Sequence, residues 1–124
     1  MRVVELFAGV GGFRLGFERI NESHKQNIFN IIWANQYEPS TKKQHAAEIY
    51  AHRWNLKKID ENSLIFKNEV GDILSNQDIN DVESGSIPKH DILCGGFPCQ
   101  DYSVARTISG EMGIEGEKLS LIHI

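Results

Sequence analysis

Cysteine is scarce in this chain, with only Cys94 and Cys99 among 124 residues. They sit too close in sequence to staple a long loop. Their spacing is wrong for a Cys-x-x-Cys knuckle, and no His or Cys cluster completes four ligands, so no metal site is expected. Long apolar runs are absent as well: nothing approaches about 18 consecutive apolar residues. Glu5 interrupts the first apolar stretch, and no basic leader precedes it. These absences point to a reduced, cytoplasmic protein without a membrane span. Basic charge is in deficit, with 13 Lys and Arg against 17 Asp and Glu and a net charge of -4. No global positive field advertises nucleic acid, so a phosphate-gripping surface is local or lies outside this stretch. The pairs Lys42-Lys43 and Lys57-Lys58 read as solvated faces, and His24, His45, His52, His90 and His123 form no ligand spacing. There is no internal repeat and no low-complexity segment. What is present is ordinary for one globular domain, 40% hydrophobic and 24% charged residues, enough for a core.

The pattern alternates between strand-like and helix-like segments. Residues 2–7 (RVVELF) form a short apolar run and run straight into Ala8-Gly9-Val10-Gly11-Gly12. Phe13, Phe17 and Ile20 then recur at helical spacing, so strand, glycine loop and helix follow in order. Residues 21–27 are polar and read as a loop, and 28–34 (IFNIIWA) read as a second strand rich in β-branched and aromatic residues. Pro39 and Ser40 open a second helix in which Ala46, Ile49, Tyr50 and Trp54 share a face. A weak stretch follows, with a short strand at 64–66 and a strand end at 70–73; residues 78–84 suggest an irregular helical turn. The last strand is 90–94, with Cys94 in the core. Strands alternating with helices indicate parallel βαβ units and a doubly wound α/β sheet.

The loop from Phe7 to Gly12 suits close backbone approach to a ligand at a helix N-terminus. It is not a phosphate-binding P-loop, since no Gly-Lys-Ser/Thr follows, and it misses the dinucleotide fingerprint because Arg14 stands at the third glycine position. Glu38 is placed just past the second strand, where a carboxylate can accept both hydroxyls of a ribose. Asp72 is placed just past the third, where it can accept from an adenine amino group. Ligands of open α/β sheets bind at the carboxyl ends of strands. Taken singly, Glu38 reads as a solvated loop charge and Asp72 as a turn cap. Together, after a glycine loop, they favour an adenosine-containing ligand, with Phe7 either its aromatic contact or a core residue.

Cys99 follows two glycines and a proline. A thiol on such a loop is a nucleophile, a metal ligand or a packed small hydrophobe. As a nucleophile it needs a depressed pKa, from a helix N-terminus starting near Gln100 or from a cation such as Arg106.

Four pieces together resemble the cytosine-C5 DNA methyltransferases. Residues 5–18 (ELFAGVGGFRLGFE) resemble the first motif of that family. Glu38, Gly71-Asp72-Ile73 and residues 91–100 (DILCGGFPCQ) resemble the second, third and fourth, in the same order. Glu5 stands where the family more often has Asp. The resemblance implies a Rossmann-like S-adenosylmethionine-dependent methyltransferase fold, of which this chain holds the N-terminal half, with strand order 3-2-1-4. It implies that Phe7, Ala8, Gly9, Val10, Gly11 and Gly12 hold S-adenosylmethionine, Glu38 its ribose, and Asp72 with Ile73 its adenine. Cys99 is then the nucleophile on C6 of a cytosine flipped out of double-stranded DNA, positioned by Pro98. An RNA cytosine methyltransferase with the same motifs and a non-catalytic S-adenosylmethionine-binding homologue are the nearest alternatives; the glycine loop alone also suits a nicotinamide or flavin enzyme.

The resemblance further implies that residues 1–118 are an incomplete catalytic domain. The family's Glu-Asn-Val acid, its basic motifs and its variable recognition region are not in this sequence, so little turnover is expected from 1–118 alone. Residues 119–124 (LSLIHI) match the translation of a transposase adapter used in shotgun DNA libraries, and are expected to be non-native. Other codons in the source DNA across 119–124 overturn that reading.

Overall fold

A computed structural model describes residues 1–96. Pro98, Cys99 and residues 119–124 lie outside the described residues. The described part is a six-stranded sheet flanked by two helices. In chain order the elements are β1 (Arg2–Leu6), α1 (Gly12–His24), β2 (Asn30–Asn35), α2 (His45–Arg53), β3 (Lys57–Lys58), β4 (Ile65–Lys67), β5 (Ile73–Ser75) and β6 (Ile92–Gly95). The strands lie in the order β3-β4-β5-β2-β1-β6. Strands β5, β2, β1 and β6 are mutually parallel, which is the expected 3-2-1-4 arrangement, and β4 and β3 extend it as antiparallel strands beside β5. Two single 3-10 turns, Ile79–Asp81 and Ser84–Ser86, lie between β5 and β6.

The sheet buries both faces, as a parallel sheet must. On one face Ala34 and Leu74 meet Ala47, Tyr50 and Ala51 of α2, with Leu56 and Phe66 closing the edge. On the other, Val4, Leu6 and Trp33 are covered by Ile79, Val82 and Ile87 from the β5–β6 connection. A register shift between Val3 and Val4 brings Ile32 as well as Trp33 against that second cluster. Asp91 pins the start of β6 to β1: its carboxylate accepts from the Arg2 N–H at 2.8 Å and its own N–H donates to the Arg2 carbonyl at 2.8 Å.

Several boundaries differ from the sequence reading. Helix α1 continues through residues expected to be loop and ends at His24, where Lys25 turns left-handed (φ 53) and returns its N–H to Asn21 and Glu22 carbonyls. The Asn21 side chain then bonds both the N–H and the carbonyl of Phe29, at 2.9 and 2.7 Å, fixing the entry into β2. Helix α2 starts at His45 rather than at Pro39. Gln44 holds 38–44 as a loop by accepting from the Glu38 N–H and donating to the Glu38 and Thr41 carbonyls. The buried face of α2 is consequently Ala47, Tyr50 and Ala51; Ile49 is exposed and Trp54 half-buried. Cys94, expected in the core, is half-buried on β6, which is the sheet edge among the described residues, with Leu93 exposed beside it.

Candidate functional site

The parallel strands end level with one another. Leu6 pairs with Asn35 on one side and Gly95 on the other, and Asn35 pairs with Ser75. Whatever follows these residues lines a single edge of the sheet: Phe7 after β1, Gln36 after β2, Asn76 after β5 and Gly96 after β6. This is the edge where open α/β sheets bind ligands.

The loop after β1 is shaped by backbone conformations that ordinary residues avoid. Phe7, Gly9 and Gly11 all have positive φ, at 52°, 58° and 92°. The Ala8 N–H donates to the Asn35 carbonyl at 3.1 Å, and the Gly11 N–H returns to the Ala8 carbonyl at 3.0 Å. At Gly9 an added Cβ would meet nothing within 4 Å, so the loop is open on its outer side there. At Gly11 the opposite holds: a Cβ would lie 2.3 Å from two carbons of the Trp54 ring. Ala8 is buried, Val10 is exposed at the tip, and Gly12 begins α1. Phe7 is half-buried against the Val4, Leu6 and Trp33 cluster. Gly95 closes the other flank; a Cβ on it would come 2.5 Å from the Leu6 carbonyl oxygen, so only glycine lets β6 lie this close.

Neither acid read from the sequence lies free at this edge. Asp72 precedes β5 instead of following a strand, because Gly71 makes a turn at φ 95° and the strand begins only at Ile73. Asp72 Oδ2 accepts from Arg14 Nη2 at 2.7 Å and from Asn68 Nδ2 at 3.3 Å. Ile73 pairs with Trp33 and packs on the second core cluster. Glu38 does lie past β2, but its Oε1 accepts from the Ala46 N–H at 2.9 Å and so satisfies one of the unbonded amides that every helix N-terminus leaves.

The residues that do stand at the strand ends were not singled out from the sequence. Gln36 follows β2 directly, and its Oε1 accepts from the Gly9 N–H at 2.8 Å, tying it to the glycine loop. Its own N–H donates to the Ser75 carbonyl at 3.0 Å. The first acid beyond β5 is Asp78, which caps the 3-10 turn by accepting from the Asn80 N–H at 3.0 Å. Its side-chain hydrogen bonds within the described residues both go to Oδ1. Ile79 follows, half-buried. The available signal was the change from apolar Ile73-Leu74 to polar Ser75-Asn76-Gln77-Asp78, which marks a strand end better than the Val70-Gly71 step does.

Beneath the loop lies a different environment. Glu5, the fourth residue of β1, is completely buried, and among the described residues neither carboxylate oxygen has a hydrogen-bond partner. Burial pushes its pKa up to about 7 against the pull of Arg14. Burial opposes the charge of Arg14 too, but Tyr50 and Asp72 outweigh it and leave the guanidinium pKa raised. Cys94, paired with Glu5 across β1 and β6, is pushed up to about 11 by burial and then by Glu5. A thiol so held is protonated at neutral pH and is no nucleophile. Among the described residues no group of three His, Cys, Asp or Glu side chains could hold a metal, and no helix is long and apolar enough to cross a membrane.

The parallel strands in 3-2-1-4 order, with a glycine loop opening α1 and polar residues at the neighbouring strand ends, define a Rossmann-like methyltransferase fold. The family is specified by comparison: residues 1–123 match the model of C-5 cytosine-specific DNA methylases. The chain belongs to that family. It is 51% identical to the type II methyltransferase M.Sau3AI of Staphylococcus aureus over 95% of its length, which is 24% of that relative. It is 36% identical to the DNA-cytosine methyltransferase of Escherichia coli K12 over 84% of its length, 20% of that protein. With the type II methyltransferase M.HaeII of Haemophilus aegyptius it shares 33% identity over 84% of its length, 24% of that relative. The chain thus spans between a fifth and a quarter of the length of these three relatives. No solved structure matches it.

Proposed function

We propose that this chain carries the methyl-donor site and the nucleophile of a DNA (cytosine-5-)-methyltransferase of a restriction-modification system. The observation that carries this reading is the level edge at which the glycine loop is bonded to Gln36, with Asp78 three residues beyond the neighbouring strand β5, in a chain of this family. Bound there, S-adenosylmethionine supplies an electrophilic methyl group. The open backbone of the loop at Gly9 lets the donor approach without a side chain between them. Gln36 would hold its ribose and Asp78 its adenine amino group, with Phe7 and Ile79 available to the base. Glu38 and Asp72, the acids first read as ribose and adenine ligands, serve instead to cap α2 and to hold Arg14.

Cys99 acts on the other partner, a cytosine flipped out of double-stranded DNA. C5 of cytosine is a poor nucleophile on its own. Addition of the Cys99 thiolate to C6 would convert the ring to an enamine whose C5 takes the methyl group from the sulfonium, the donor leaving as a neutral thioether; loss of the C5 proton to a base would then expel the thiolate and restore the ring. Pro98 restricts the backbone next to the sulfur, a positioning effect. The raised pKa of Cys94 leaves Cys99 as the cysteine for this role.

Calorimetric titration of the 124-residue chain with S-adenosylmethionine and with NAD tests the donor site. Binding of S-adenosylmethionine with NAD silent is expected, and preferential NAD binding would remove the reading. In the gene product carried to the relatives' length, Cys99→Ser is expected to abolish covalent capture of DNA containing 5-fluorocytosine. A trapped complex that survives the change identifies another nucleophile.

A further inference from the structure

The donor site is made of backbone, and backbone loops hold their shape only if something beneath them does. Arg14 is the third residue of α1 and is buried, 7% exposed, an unusual state for a guanidinium. Its plane lies over the Trp54 ring at 4.6 Å and within 5.8 Å of the Tyr50 ring. Nη1 reaches the Tyr50 hydroxyl at 3.4 Å, Nη2 reaches Asp72 at 2.7 Å, and Nε faces Glu18 at 3.5 Å. Glu18 in turn accepts from the Trp54 indole N–H with both carboxylate oxygens, at 3.0 and 2.8 Å. Asp72 is itself held, its N–H donating to Asn68 Oδ1 at 2.9 Å, and Asn68 donates to the Trp54 carbonyl at 3.2 Å. The same indole that Arg14 covers is the surface on which Gly11 rests. One side chain therefore joins the first turns of α1, the end of α2 and the turn ahead of β5.

We propose that Arg14 is a positioning residue that fixes the glycine loop by clamping the Trp54 ring beneath Gly11. The planar guanidinium does this where an ammonium would not, because it stacks on the indole while its edge bonds Asp72 and Tyr50 at once. An ordinary buried ion cluster would add to the stability of the whole domain. A clamp acts first on residues 9–15. Its relevance to methyl-donor binding rests on the function proposed above, whereas the positioning itself does not.

Hydrogen exchange separates these roles. The 124-residue chain is compared, without ligand, as wild type, Arg14→Met and Arg14→Lys. The clamp predicts that Arg14→Met speeds exchange across residues 9–15 by about tenfold, with peptides covering β4 unchanged. Arg14→Lys, which keeps the charge on Asp72 but loses the stacked plane, is expected to give a rise of about threefold in the same segment. Uniform acceleration in every segment, or an unchanged loop in a folded variant, overturns the proposal. Should Arg14→Met not fold, Arg14→Lys decides it on the same criterion. In parallel, S-adenosylmethionine titration is expected to show about tenfold weaker binding to whichever variant loosens the loop. If the wild-type chain does not bind that donor at all, the proposed function fails while the exchange data still judge Arg14.

Discussion

The outer and inner sides of the glycine loop are built from opposite materials. Outside, at Gly9, there is backbone in left-handed conformation and open space. Inside, below Gly11, there are rings and charges with little solvent: Trp54, Tyr50, Arg14, Glu5 and Asp72. The difference follows from what each side must do. A surface that binds a ligand has to leave hydrogen-bonding capacity unused, whereas the support bonds Arg14, Asp72, Glu18 and Trp54 to one another and leaves, of its buried side-chain polar atoms, only the Glu5 carboxyl and Arg14 Nε without a hydrogen bond among the described residues. The two aspartates follow the same division. Asp72 takes the Arg14 guanidinium and Asn68 on Oδ2, whereas Asp78 takes only its near neighbour Asn80 on Oδ1.

The two glycines give the strongest test of this division. Gly11→Ala sets a Cβ into the Trp54 ring at a φ of 92°, and a loss of about 4 kcal/mol in urea unfolding is expected from overpacking and left-handed strain together. Gly9→Ala carries the strain without the collision, so about 1 kcal/mol is expected, with the main loss in donor affinity. Equal costs would mean that the inner side is no more tightly built than the outer.

Glu5 tests the inner side alone. Its folded pKa stands near 7 against an ordinary 4.5, so the folded chain keeps a proton that the unfolded chain releases. The stability from that proton is complete below pH 4.5, declines as pH rises, and is gone above about pH 7, a difference of about 3 kcal/mol. Glu5→Gln has no such slope and is expected to gain on wild type as pH rises through that window. Parallel stability profiles at pH 5 and 7.5 would falsify the burial of an unpaired carboxyl.

The smallest effect sharpens the contrast between the acids. Asp78→Asn is expected to weaken S-adenosylmethionine binding about tenfold with little change in melting temperature. Asp72→Asn should lower the melting temperature and affect the donor only as far as it releases Arg14. Calorimetry and thermal melts on the same samples check both, and an exchange of the two outcomes would return the adenine contact to Asp72.

Much of this was legible in the residues, for identifiable reasons. The apolar runs at 2–7 and 90–94 could only be buried or paired strands, and the glycine cluster after the first of them had no reason to exist in a helix or strand interior. The errors share one cause, the use of local pattern where side chains from elsewhere decide. Val70-Gly71 looked like a strand end, but Val70 is 85% exposed and Gly71 is a turn, so the acid beyond them fell at the wrong end of β5. Pro39 looked like a helix start, yet Gln44 and Glu38 delay α2 by bonding back across the loop. The polar end of α1 looked like loop because its exposed face carries no pattern.

The sequence by itself determined the succession of strands and helices along the chain, the position of the glycine loop and the family, because hydrophobic periodicity and a dense motif are properties of neighbours along the chain; the order of the strands in the sheet came only through the resemblance. Tertiary structure alone decided which acids belong to the support and which to the open edge. That choice depends on who donates to each carboxylate, and Arg14, 58 residues away from Asp72 in sequence, reaches it only once the sheet has formed.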